Sequence, residues 1–133
     1  MGSQPLKPIL VPTAPGELID KIAILQIKVQ RLGPGPQLQH VQADLALLTA
    51  IRDRAVTPSS ALDRLTQALA AVNEELWQAE DDIRACEQAG DFGPKFVAVA
   101  RSIYQTNDRR AQLKRQIDEF LGSEIIEEKL YGP

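Results

Sequence analysis

Apolar residues recur at three- and four-residue intervals along most of the chain, and prolines and glycines cut that rhythm into four segments. Leu18, Ile22, Leu25, Val29 and Leu32 predict a first helix over about Gly16–Leu32, halted by the run GPGP at Gly33–Pro36. Leu38, Val41, Leu45 and Leu48 predict a second, from about Gln37 to Arg54. The stretch VTPSSALDRL breaks it, with Ser59 or Ser60 able to cap the next helix and Asp63 in its first turn. The third helix carries Leu62, Leu65, Leu69, Val72, Leu76 and Ile83 on one face, runs to about Gln88 and stops at Gly90. After the turn GDFGP, a fourth helix spans about Pro94–Leu121, with Phe96, Val99, Ile103, Leu113, Ile117 and Phe120 as its stripe and Gly122 as its stop. Pro5, Pro8, Pro12 and Pro15 make residues 1–14 an irregular arm, and the tail 122–133 is compatible with a short helix, a strand or an ordered arm. Residues 1–133 thus predict a single all-α domain: a bundle of four main helices in which the third and fourth form a long antiparallel hairpin.

The first helix differs from the others. Ile24 and Ile27 lie almost opposite its main stripe. A helix apolar on two sides is buried at the centre of a bundle or shared with a second subunit, and the expectation is a homodimer burying at least one of the two isoleucines.

A polar seam interrupts the two long helices. At 100° per residue Glu80 falls between Leu76 and Ile83, with Asn73, Trp77 and Arg84 on the same flank. On the fourth helix Arg110 fills the gap between Ile103 and Leu113, with Asn107 and Lys114 at its edges. A turn centred on residues 91 and 92 brings Arg110 level with Asn73. Asn73 is therefore expected to accept a hydrogen bond from Arg110, and Asn107 to bond a group on the third or first helix. The tail offers another partner for Arg110, in Glu127 or Glu128. Residues 74–91 hold seven acids against Arg84, whereas residues 101–118 hold five bases against two acids, so the two helices are complementary in sign. Two readings follow. The seam is a structural network that specifies how the helices meet. Alternatively it is a pocket in which Arg110, Lys114 and Arg101 hold an anionic group, with Asn73, Trp77, Glu80, Arg84, Tyr104 and Asn107 around it.

Composition narrows the function classes. A net charge of −3 and a pI near 5.2 argue against nucleic acid as a partner. No apolar run reaches the length of a spanning helix, and the opening residues lack the apolar core of a leader peptide. Cys86 is the only cysteine, which leaves no intrachain disulfide and suits a reducing, cytoplasmic setting. His40 alone cannot supply the paired Glu-x-x-His motifs of a di-iron bundle. Glu80, Asp81 and Asp82 point 100° apart in succession and read as a solvated acidic face. Neither a metal nor a cofactor is expected.

Four blocks, PGELIDKIAIL, NEELWQAEDDIR, FVAVARSIYQTNDRRAQLKRQID and GSEIIEEKLY, resemble an uncharacterised domain-of-unknown-function family of small bacterial proteins. The resemblance implies a compact helical protein and places the family's polar positions on Glu17, Asp20, Lys21, Asn73, Glu74, Trp77, Arg84, Arg101, Tyr104, Asn107, Asp108, Arg110 and Lys114. The family pattern has a serine where this chain has Ala14, so only Thr13 remains to cap the first helix. The functional expectation is a non-enzymatic, homo-oligomeric interaction or scaffold protein. The alternative is a small helical enzyme or sensor that binds an anionic metabolite in the seam.

Overall fold

The computed structural model describes residues 4–128 and shows four helices, α1 (Pro15–Arg31), α2 (Pro36–Ala55), α3 (Ser60–Ala89) and α4 (Pro94–Phe120). Each end lies within a residue of the expected position where proline, serine or glycine marks it. Ser59 Oγ accepts the Leu62 amide at 3.1 Å and caps α3. Gly90 takes the left-handed conformation that closes the same helix.

α3 and α4 form the long antiparallel hairpin, and α1 lies across both while α2 folds back onto α1 alone. The densest core sits at the open end of the hairpin, where Ile19 of α1 meets Leu62 and Leu69 of α3 and Ile117 of α4. Val56, Leu65, Leu113 and Leu121 close around it. At the opposite end Phe92 and Phe96 stack edge-on at 5.4 Å, with Phe92 largely in solvent.

Two expectations about packing need correction, for α2 and for Phe120. α2 buries none of its residues fully, because it has one neighbour rather than a bundle centre to face. Phe120 stands 51% exposed at the end of α4. Ile27 is only 4% exposed within one chain, and Ile24 is partly covered. The two-sided pattern of α1 is thus answered by the three helices around it, and its burial requires no second subunit.

The start of α1 is held from a distance. Neither Ala14 nor Thr13 caps it through a side chain. Instead Asp118 near the end of α4 accepts the Gly16 amide at 2.7 Å, taking up one of the unsatisfied N–H groups of the first turn. This brings the backbones together, and a β-carbon on Gly16 would lie 2.4 Å from the Lys114 carbonyl oxygen and 2.7 Å from Asp118 Oδ1. A main-chain oxygen cannot swing aside as a side chain can. Gly16→Ala should therefore destabilise by about 1–3 kcal/mol, overriding the helix propensity that favours alanine. Urea denaturation checks this, and a stabilised variant would show that the helices separate freely.

Candidate functional site

One carboxylate organises the polar seam. Asp20 lies five residues into α1, and its side chain is completely buried between α3 and α4. On a helical wheel it stands close to Ile27, inside the second apolar face, so the register that buries Ile27 buries the acid too. Arg110 of α4 grips it with two prongs, Nε to Oδ1 at 2.9 Å and Nη2 to Oδ2 at 2.5 Å. Asn73 of α3 donates through Nδ2 to Oδ1 at 2.9 Å. Three helices therefore meet on one acid. Among the described residues no buried side-chain nitrogen or oxygen is left without a hydrogen bond.

A second tie lies one turn further along α4, where Lys114 Nζ reaches Glu17 of α1 at 2.5 Å and Glu127 of the tail at 3.5 Å. Asp118 follows one turn later on Gly16. Arg110, Lys114 and Asp118 thus form an i, i+4, i+8 ladder that clamps the first turns of α1. The hydrogen bond and charge of Asp20 raise the Arg110 pKa against the opposing effect of burial, with Glu17 and Glu127 adding to the rise. For Lys114 burial acts downward, but the hydrogen bond and charge of Glu17, with the charges of Asp20 and Glu127, reverse it and raise the pKa. Asp118 is pushed above the ordinary carboxylate range by burial, which outweighs the Gly16 hydrogen bond and the nearby Lys114 charge.

The nine residues singled out in the sequence do not form one pocket. Arg110 separates two clefts. One, of about 480 Å³, opens towards α3 and is lined by Asn73, Trp77, Glu80, Arg84, Asn107 and Arg110 together with Ile24 of α1. The other, of about 630 Å³, lies on the far side of α4 and gathers Tyr104, Asn107, Arg110 and Lys114 with Arg115 and the tail residues Glu127 and Glu128. Arg101 lines neither, is exposed, and makes no ion pair among the described residues. Glu80 is not inside the stripe; it is exposed and, among the described residues, pairs only with Arg84 one turn away, at 3.7 Å. Trp77 is half-buried, with the Arg31 guanidinium 5.6 Å above its ring. Arg31 also bonds Glu74 at 3.0 Å.

The expected hairpin register holds, since Arg109 pairs with Glu75 and Arg110 meets Asn73 on a shared acceptor. The expected direct bond does not form. Asn73 donates to Asp20 rather than accepting from Arg110, because a buried carboxylate is the better acceptor for both. Asn107 is exposed and its amide has no hydrogen-bond partner on α1 or α3 among the described residues. Glu127 and Glu128 do fold back, but onto Lys114 and Arg115 rather than Arg110. The last part of the tail, residues 129–133, lies outside the described residues, so the expectation of a helix, strand or ordered arm is not decided there. Asp20, Glu17 and Asp118 are absent from the nine. The wheel position of Asp20 beside Ile27 carried that signal, whereas nothing local marks Asp118.

A family model described as a family of unknown function (DUF6165) matches residues 9–133. The chain belongs to this family. No curated protein and no solved structure matches it. Membership of the family accords with the expectation of an uncharacterised domain family, and it assigns no activity. No helix among the described residues is long and apolar enough to cross a membrane. The described residues also contain no group of three or more histidine, cysteine, aspartate or glutamate side chains placed to hold a metal ion.

Two measurements test the seam. Arg110→Met should cost about 3–5 kcal/mol, since it strands the Asp20 carboxylate in an apolar site, while Glu80→Ala should stay within about 0.5 kcal/mol. Chemical denaturation of the two variants checks the order, and equal costs would mean that Asp20 reaches water. The second concerns pH. The folded pKa of Asp118 is raised, so its stabilising contribution is full below its ordinary value and is lost as pH climbs through the folded one. Asp118→Asn keeps an acceptor for Gly16 and removes the ionisation. Its stability relative to the parent chain should therefore rise with pH from about pH 4 upward. A difference that stays flat with pH in urea melts would contradict this.

Proposed function

We propose that this protein is a non-enzymatic, homo-oligomeric interaction protein whose polar seam is architecture. The observation that carries the reading is the pairing of the seam's cations within the chain: Arg110 on Asp20, Lys114 on Glu17, Arg115 on Glu119. Among the seam's candidate cations Arg101 has no ion pair among the described residues, but it lines neither cleft, and the large exposed apolar side chains lie outside the seam. Ile9, Leu10 and Val11 follow one another in the N-terminal arm, with Leu6 three positions earlier and Leu10 91% exposed. A contiguous apolar segment held in water is the usual mark of an association surface. The single cysteine and the likeness of the four blocks to a bacterial family support a bacterial cytoplasmic setting.

A second reading has one specific observation in its favour. Tyr104, Asn107, Arg110 and Lys114 do line a common cleft of a size suited to a small anionic metabolite. The two readings separate experimentally. On the first, light scattering across a micromolar concentration series shows a dimer that Ile9→Asp with Leu10→Asp abolishes, and small anions leave the melting temperature unchanged. On the second, the chain stays monomeric, and a phosphate, sugar nucleotide or carboxylate at one hundred times its dissociation constant stabilises it by about 2.7 kcal/mol, roughly ten degrees of melting temperature.

A further inference from the structure

Two apolar features of this chain stand uncovered, and each suits the other. The first is the N-terminal arm, where Leu6, Ile9, Leu10 and Val11 are 71–91% exposed and so lie off their own body. Pro5, Pro8, Pro12 and Pro15 fix their own φ, and Lys7, Val11 and Ala14, each followed by a proline, are held to extended backbone. Ala14 has φ −73° and ψ 149°. The arm is therefore a stiff rod in the polyproline range. Residues 4–15 contain no glycine or asparagine to turn it back along α1.

The second feature is a groove of about 300 Å³ between α1 and α2. Ile24 and Leu25 of α1 face Leu47 and Leu48 of α2 across it, and Leu47 is 55% exposed. The groove stays open because α2 packs against α1 alone. Lys21 and Lys28 stand on its α1 side, and neither is in an ion pair among the described residues.

From these two features we infer that the groove receives the arm of a second copy of the chain, and that two copies exchange arms reciprocally. The inference rests on the homo-oligomeric reading and names where the arm lands. Both surfaces are aliphatic, and residues 8–14 carry no charge, so docking desolvates no ion of the arm. The dimensions agree. Lys21 and Lys28 are two turns apart, about 10 Å along α1, and three residues of a polyproline helix advance about 9 Å. A stretch such as Ile9 to Pro12 spans the groove, and its carbonyls, which find no partner within an extended arm, lie between two ammonium donors. Eleven residues of rod reach at most about 35 Å, enough to leave one protomer and lie on the next. Stiffness favours the exchange, since little backbone entropy remains to be lost on docking. The other large apolar side chains exposed among the described residues are single ones on the helices, the α3–α4 turn and the tail, whereas the arm is a free segment.

The test is complementation between two full-length variants, read by light scattering across a micromolar concentration series. One carries Ile9→Asp with Leu10→Asp, and has a groove but no apolar arm. The other carries Leu47→Asp, and has an arm but a charged groove. All three side chains are exposed within one chain, so both variants should keep the helical circular dichroism of the parent. Each alone should dimerise at least about ten-fold more weakly than the parent, because a carboxylate does not enter an apolar contact unpaired. Mixed in equal amounts, the two should form a heterodimer through the one arm and groove that remain intact. A Leu47→Asp chain that dimerises as tightly as the parent would overturn the inference, since the arms would then pair with each other. So would a mixture that associates no better than its components. Both outcomes leave the homo-oligomeric reading standing, whereas a parent chain that stays monomeric throughout the series overturns the two together.

Discussion

A single buried carboxylate fixes how three helices meet. Asp20 reaches no water, and its charge is tolerable only because Arg110 and Asn73 supply three hydrogen bonds from two other helices. Sliding α1 by four residues, about one turn, would put Gly16 or Ile24 where the acid sits, and would leave Arg110 without its counterion. Such a pair contributes little net stability, because desolvating both ions offsets most of their attraction. Its effect is on geometry: alternative registers leave an unpaired charge in an apolar interior.

Close approach is the second constraint, and it follows from the first. For Arg110 and Lys114 to reach acids on the first turns of α1, the start of that helix must lie against α4. Gly16 permits the contact by presenting no β-carbon to the Lys114 carbonyl. Asp118 turns the proximity to use by capping α1, a role that Ala14 has no side-chain oxygen to fill. The start of one helix and the end of another are thus one structural unit, although they lie 102 residues apart in the chain.

The same clamp shapes the surfaces. Because Lys114 and Arg115 are adjacent on α4, one turns inward to Glu17 while the other faces solvent. The returning segment bridges both through successive glutamates. Arg110 divides the polar residues of the two long helices into a cleft facing Trp77 and a cleft facing the tail. Structural and exposed charges are neighbours on one helix, separated only by which side of Arg110 they occupy.

The sequence by itself determined the elements and the hairpin. Proline and glycine act locally on backbone dihedrals, and the 3.6-residue period reports one buried face, so helix ends and the level of Arg110 with Asn73 were legible. It also marked α1 as two-sided, but not what covers the second side. Only the tertiary structure decided that three neighbours in the same chain do so, that α2 has one neighbour, and that Asp20 rather than Asn73 receives Arg110. Nor could local pattern reveal Asp118 as the cap of α1, since its partner is an amide and amides are the same in every residue but proline. Periodicity records that a face is buried; which atoms meet there depends on how the faces of separate helices are brought together, and that is set by packing across the whole chain.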